Sequence, residues 1–85
     1  MIELEKFASY AVLWQDAASD DGWTDLKATN FKKLEKQCRH TTRGTLVHQT
    51  KNTVFLASTY NAEVKRYLGL LILPKGMILK IRKLR

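Results

Sequence analysis

Cys38, His40 and His48 bring a thiol and two imidazoles to this 85-residue chain. Nucleophilic catalysis needs such a thiol, a base beside it and a third group that orients the base. The spacing assembles no such set, and Cys38 continues the apolar side of an expected helix, where it packs as a small hydrophobe. One cysteine and two histidines do not complete a zinc site. Asp16, Ser19, Asp20 and Asp21 offer oxygens to a hard cation, but without the regular alternation of a calcium loop; turn formation and helix capping account for them. No catalytic residue, metal or cofactor is therefore expected. Recognition is the chemistry that remains. Arg43, Lys51, Lys65, Arg66 and Lys75 fall in expected loops, and Lys80 and Arg82 on an expected last strand. Grouped on one side, such cations contact phosphates. Trp23 can stack on a ring or staple a helix to the sheet, and the staple is the simpler reading. These eight residues are the candidate binding set.

Charge is unevenly distributed. Residues 1–25 hold six acids and one base, whereas residues 26–85 hold fourteen bases and two acids; the whole chain carries +7. That asymmetry steers anionic partners toward one side, or copies of the chain toward each other. A lone cysteine fits a reducing compartment. The start of the chain has no signal-peptide pattern, and the apolar run Leu68 to Pro74 is far short of the ~20 residues of a membrane-spanning helix. A cytoplasmic protein is expected, with no membrane partner.

The elements that must carry these residues are mostly strands. Period-two alternation from Phe7 to Gln15, with Tyr10, Val12 and Trp14 in phase, predicts a strand with Trp14 toward the core. Ser19-Asp20-Asp21-Gly22 is turn chemistry, and Asp21 or Thr24 can cap a helix over about 24–39 with Leu26, Phe31, Leu34 and Cys38 on its inner face. Thr41-Thr42-Arg43-Gly44 is expected to end that helix. Two strands follow, Thr45 to Gln49 and Thr53 to Ser58, joined tightly at Lys51-Asn52 by positive φ at Asn. Tyr60 to Glu63 reads as a loop. Tyr67 to Leu73 is apolar on both faces, hence a central strand or one that meets another subunit, with a bend at Gly69. Pro74-Lys75-Gly76 turns into a last strand from Met77 to Leu84, with Met77, Leu79 and Ile81 inward and Lys80 and Arg82 outward.

Five strands with a long first connection and a short turn before the last resemble an SH3-like barrel. That implies a mainly β (α+β) domain over residues 1–85: a five-stranded small barrel with the helix inserted in the first connection. More narrowly, Trp14-Gln15-Asp16-Ala17, Ser19-Asp20-Asp21-Gly22-Trp23, Gly44-Thr45-Leu46-Val47-His48, Val54-Phe55-Leu56-Ala57-Ser58-Thr59 and Leu73 to Ile78 resemble, in that order, a loose group of short proteins from tailed-phage genomes. Thr45 stands where that group has an aromatic residue, and Leu73 where it has isoleucine. The resemblance implies a phage origin, hence the host cytoplasm, and carries over no catalytic residue.

Three function classes follow. One is a phage accessory protein, not an enzyme, that binds a host defence protein or an anionic nucleotide ligand stoichiometrically. The second is a nucleic-acid-binding Sm-like barrel, favoured by the basic segment and opposed by sparse aromatics, only Tyr60 and Tyr67 lying among the bases. The third is a structural oligomer or virion component. Small size without staples favours a homo-oligomer in any of them.

Overall fold

A computed structural model of the chain describes residues 3–19 and 22–84. Residues 1, 2, 20, 21 and 85 lie outside them, and the expected cap at Asp21 with them. The chain is mainly β: β1 (Ser9–Gln15), β2 (Arg39–Gln49), β3 (Thr53–Asn61), β4 (Arg66–Pro74) and β5 (Ile78–Lys83). They form one antiparallel sheet in the order β4-β3-β2-β1-β5. The first strand agrees with expectation to within two residues, and a one-turn 3-10 helix at Lys75–Met77 precedes β5.

The sheet does not close into a barrel. β4 and β5 are its two edges, joined in sequence by the 3-10 turn but not paired with each other. β4 is accordingly an edge strand rather than a central one.

β2 is the strand on which the architecture turns. Arg39 to Thr45 pair with β1, and from Thr45 onward its other edge pairs with β3. Gly44 sits at the changeover: a Cβ there would lie 2.9 Å from the Ala57 carbonyl oxygen, closer than side chains approach backbone. The sheet therefore folds over an apolar centre of Leu4, Tyr10, Val12, Leu46, Val54, Leu56 and Leu73, with Trp14, Leu71, Met77, Ile78 and Ile81 packed at its margin. Trp14 is on the inner side as expected, its indole N–H donating to Thr42 Oγ1 at 3.0 Å. The β1–β5 register shifts between Leu13 and Trp14. Ile78, rather than Leu79, consequently joins the core, and Leu79 is exposed.

The first connection is where expectation and structure part. The expected helix over 24–39 is broken into a 3-10 turn at Leu26–Ala28 and a two-turn helix, α1, at Phe31–Gln37. Thr29 and Asn30 interrupt it in extended conformation because short polar side chains compete for local backbone groups. The caps are Asp25, whose carboxylate accepts from the Lys27 N–H, and Asn30, whose side-chain oxygen accepts from the Lys33 N–H; Thr24 caps neither. Neither segment buries a residue. Leu26, Phe31 and Leu34 are exposed and Cys38 is half-buried, so among the described residues most of the inferred inner face is uncovered. Arg39 to Gly44 belong to β2, not to a helix-ending turn.

The β2–β3 turn over Thr50 to Asn52 needs no positive φ at Asn52; Thr50 Oγ1 instead accepts the N–H groups of Asn52 and Thr53. Tyr60 and Asn61 extend β3 rather than forming a loop. Asn61 Oδ1 then accepts from the N–H groups of Glu63 and Val64 and closes the tip of the β3–β4 hairpin. Lys83 and Glu5 make an exposed ion pair at 2.6 Å. The hydrogen bond to that carboxylate, and then its negative charge, raise the Lys83 ammonium above its ordinary pKa. The molecule is elongated, 55 × 24 × 24 Å, with a radius of gyration of 16.1 Å. A compact domain of this length has roughly 12 Å.

Candidate functional site

The N-terminal residues before β1 are pinned across β2. The Phe7 N–H donates to the Leu46 carbonyl at 2.6 Å, and the Leu46 N–H returns a bond to the Ala8 carbonyl. Gln49 Nε2 donates to the Leu4 carbonyl, and the Glu5 N–H donates to the phenol oxygen of buried Tyr10. These bonds hold Phe7 in a left-handed backbone conformation (φ 70°) with its ring outside the core.

The β3–β4 hairpin meets that ring. Tyr60 and Tyr67 are cross-strand partners near its tip, and Tyr60 stacks on Phe7 with ring centroids 4.8 Å apart and planes 8° from parallel. Strict alternation would put Tyr60 and Tyr67 on the face opposite Phe55 and Leu70. All four line one cleft, so the hairpin turns over between them. Between them lies Gly69, at φ +68°, beside Ser58, whose hydroxyl donates to the Leu68 carbonyl. A left-handed glycine is what the bend expected there requires, and it separates Tyr67 from Leu70 along β4.

The resulting cleft is about 410 Å³, within the range of small-molecule sites. Its walls are Phe7, His48, Phe55, Tyr60, Tyr67 and Leu70, and Lys6 and Lys65 add positive charge. His48 and Phe55 are tilted against each other, centroids 5.4 Å apart. Lys6 Nζ lies 5.1 Å from the Phe7 ring centroid, a cation–π contact. Lys65 adopts a left-handed conformation (φ 54°) where the tip re-enters β4. Flat rings flanked by two ammonium groups suit a planar, negatively charged ligand.

Of the eight residues singled out by sequence, Lys65 alone lines this cleft. Arg43, Lys80 and Arg82 are gathered elsewhere. Ala11 is registered with Arg43 on one side and Arg82 on the other, and Leu13 is registered with Lys80. The three cations therefore share the outer face of β2-β1-β5, and among the described residues none of them makes an ion pair. Arg43 reaches this face from β2, not from a loop. Lys75, in the 3-10 turn, donates through Nζ to Gln49 Oε1, while Lys51 stands in the β2–β3 turn and Arg66 begins β4. Trp23 is fully exposed and, among the described residues, does not staple the helix to the sheet. Cys38 caps the C-terminus of α1 and is half-buried; His40 lies against Trp14 and His48 against Phe55, so the thiol and imidazoles are not assembled. Among the described residues no cluster of His, Cys, Asp and Glu is placed to hold a metal ion, and no helix is long and apolar enough to cross a membrane.

Sequence reasoning missed Lys6, Phe7, Phe55 and Leu70 altogether. The available signal was the hairpin itself: Asn61 as a turn-former pairs Tyr60 with Tyr67 once β3 is continued to its true end. No family model, curated protein or solved structure matches the chain.

Proposed function

We propose that this chain is a non-catalytic binding protein that takes one anionic, ring-bearing ligand of the nucleotide class into the cleft between its N-terminal segment and the β3–β4 hairpin. One observation carries the reading. Phe7 and Lys65 are the non-glycine residues with positive φ among those described, and both line this cleft. Such conformations cost about 1–3 kcal/mol each and persist where surrounding structure enforces them, commonly at ligand clamps. The element order, with a one-turn helix before β5, agrees with the SH3-like resemblance, although the sheet is not closed into a barrel. In the phage setting that the sequence resemblance implies, sequestering a nucleotide signal of the host is the corresponding role.

The test is calorimetric titration with mononucleotides, cyclic nucleotides and linear dinucleotides. Binding at one ligand per chain is expected for at least one of them. Removing one stacking ring by Tyr60→Ala is expected to weaken it about 10- to 100-fold. Trp23→Ser, outside the cleft, leaves it unchanged. Absence of binding across the panel, or equal affinity of Tyr60→Ala, contradicts the reading.

The outer face bearing Arg43, Lys80 and Arg82 favours a second reading, contact with a nucleic-acid backbone. Three phosphate contacts give a slope of log affinity against log salt of about −2 to −3. Arg82→Ala is expected to make that slope shallower by about one. A slope that Arg82→Ala does not alter removes this reading.

A further inference from the structure

We propose that two copies of the chain join edge to edge through β4, antiparallel, about a two-fold axis at Ile72. This does not depend on the ligand reading above.

Three observations lead to it. First, among the described residues β4 pairs with β3 on one side only and its other edge is open. An open edge is a row of backbone donors and acceptors ready for another strand. Second, Tyr67, Leu68, Leu70 and Ile72 of this strand are exposed, and no residue from Tyr67 to Pro74 is charged. Among the described residues the chain exposes eleven large apolar side chains and buries nine hydrophobic residues. So much uncovered apolar surface marks an interface. Third, the two edges differ in protection. β5 carries Lys80, Arg82 and Lys83 within six residues, a pattern that repels a second copy.

The occupant follows from charge and symmetry. A two-fold contact sets each surface against its own copy, so at +7 per chain basic surfaces repel and a seam free of cations is favoured. β4 offers one, and it is self-complementary. Pairing about Ile72 sets Ile72 opposite Ile72, Leu71 opposite Leu73 and Leu70 opposite Pro74. This stretch follows the left-handed Gly69, and no cation falls within it. A two-fold contact of this kind closes on itself and yields a dimer rather than a filament.

The test is sedentation-velocity analysis of the intact chain and two variants, Ile72→Lys and Leu79→Lys. The two residues are similarly exposed, 59% and 50%, on opposite edges of the sheet. The native chain is expected to sediment as a dimer of the 9.8 kDa subunit. Ile72→Lys sets two ammonium groups face to face and is expected to raise the dimer dissociation constant at least about 30-fold. Leu79→Lys is expected to remain dimeric. Amide hydrogen exchange on the native chain gives a second reading free of any folding defect: protection of Leu70 to Leu73 rises with protein concentration, while that of β5 does not. A native monomer at high concentration, dissociation by Leu79→Lys in place of Ile72→Lys, or concentration-dependent protection on β5 overturns the proposal.

Discussion

Leu46→Ala is expected to leave a large fraction of the chain unfolded. Leu46 is fully buried at the point where β2 passes from β1 to β3, in contact with the core formed by Tyr10, Val12, Val54, Leu56 and Leu73. Its backbone also holds the N-terminal segment through bonds to Phe7 and Ala8. Truncating a buried leucine costs about 2–5 kcal/mol, because transfer free energy is lost and the cavity does not fully collapse. A domain of this length has only about 4–13 kcal/mol in total, and small elongated ones sit toward the low end. Urea denaturation followed by circular dichroism is expected to show a midpoint shifted strongly downward or no cooperative transition. An unchanged midpoint would mean that the centre of the sheet lies elsewhere.

Gly69→Ala is expected to damage both stability and the cleft. A Cβ at this position would collide with Ser58 Oγ, and the backbone φ of +68° is one that side-chain-bearing residues rarely adopt. The conformational strain alone is worth about 1–3 kcal/mol. The chain escapes it by straightening the hairpin, and straightening carries Tyr60 and Tyr67 away from Phe55. Lower denaturation midpoint and lower ligand affinity therefore go together. Ser58→Ala removes the nearest obstructing atom, so Ser58→Ala/Gly69→Ala should recover part of the loss, leaving the φ strain. Full recovery would assign the glycine to local space alone; no loss in the single variant would remove the bend from the account.

The strands were legible because their residues obey short-range rules. Tyr10, Val12 and Trp14 alternate, Gly69 signals a bend, and Pro74-Lys75-Gly76 signals the last turn. Sheet closure was not legible, because it depends on whether two edges meet after every twist and bulge has accumulated, including the shift at Leu13/Trp14. The helix was overextended for a local reason: Leu26, Phe31 and Leu34 have the spacing of an inner face, but Thr29 and Asn30 favour their own side-chain bonds over continued helix. Trp23 has the size and amphipathic ring of a staple, yet a sequence does not show whether a surface is present to receive it.

The candidate site was the least legible feature. Its rings come from the N-terminal segment (Phe7), β2 (His48), β3 (Phe55 and Tyr60) and β4 (Tyr67), and only Tyr60 and Tyr67 are linked by a local signal, the turn-forming Asn61. They converge because of two left-handed residues, Phe7 and Lys65, and one turned hairpin. The cations were visible as a set, but their division into a cleft lysine and an outer face around Ala11 and Leu13 is a property of register.

The most direct test of the cleft is a nucleotide titration of the labelled chain observed by NMR, reading the aromatic signals of Phe7, His48, Phe55, Tyr60 and Tyr67 together with the backbone amides. The account predicts saturable shifts concentrated on those rings and on Lys6 and Lys65. Shifts confined to the face of Arg43, Lys80 and Arg82, or no shifts at saturating nucleotide, would contradict it.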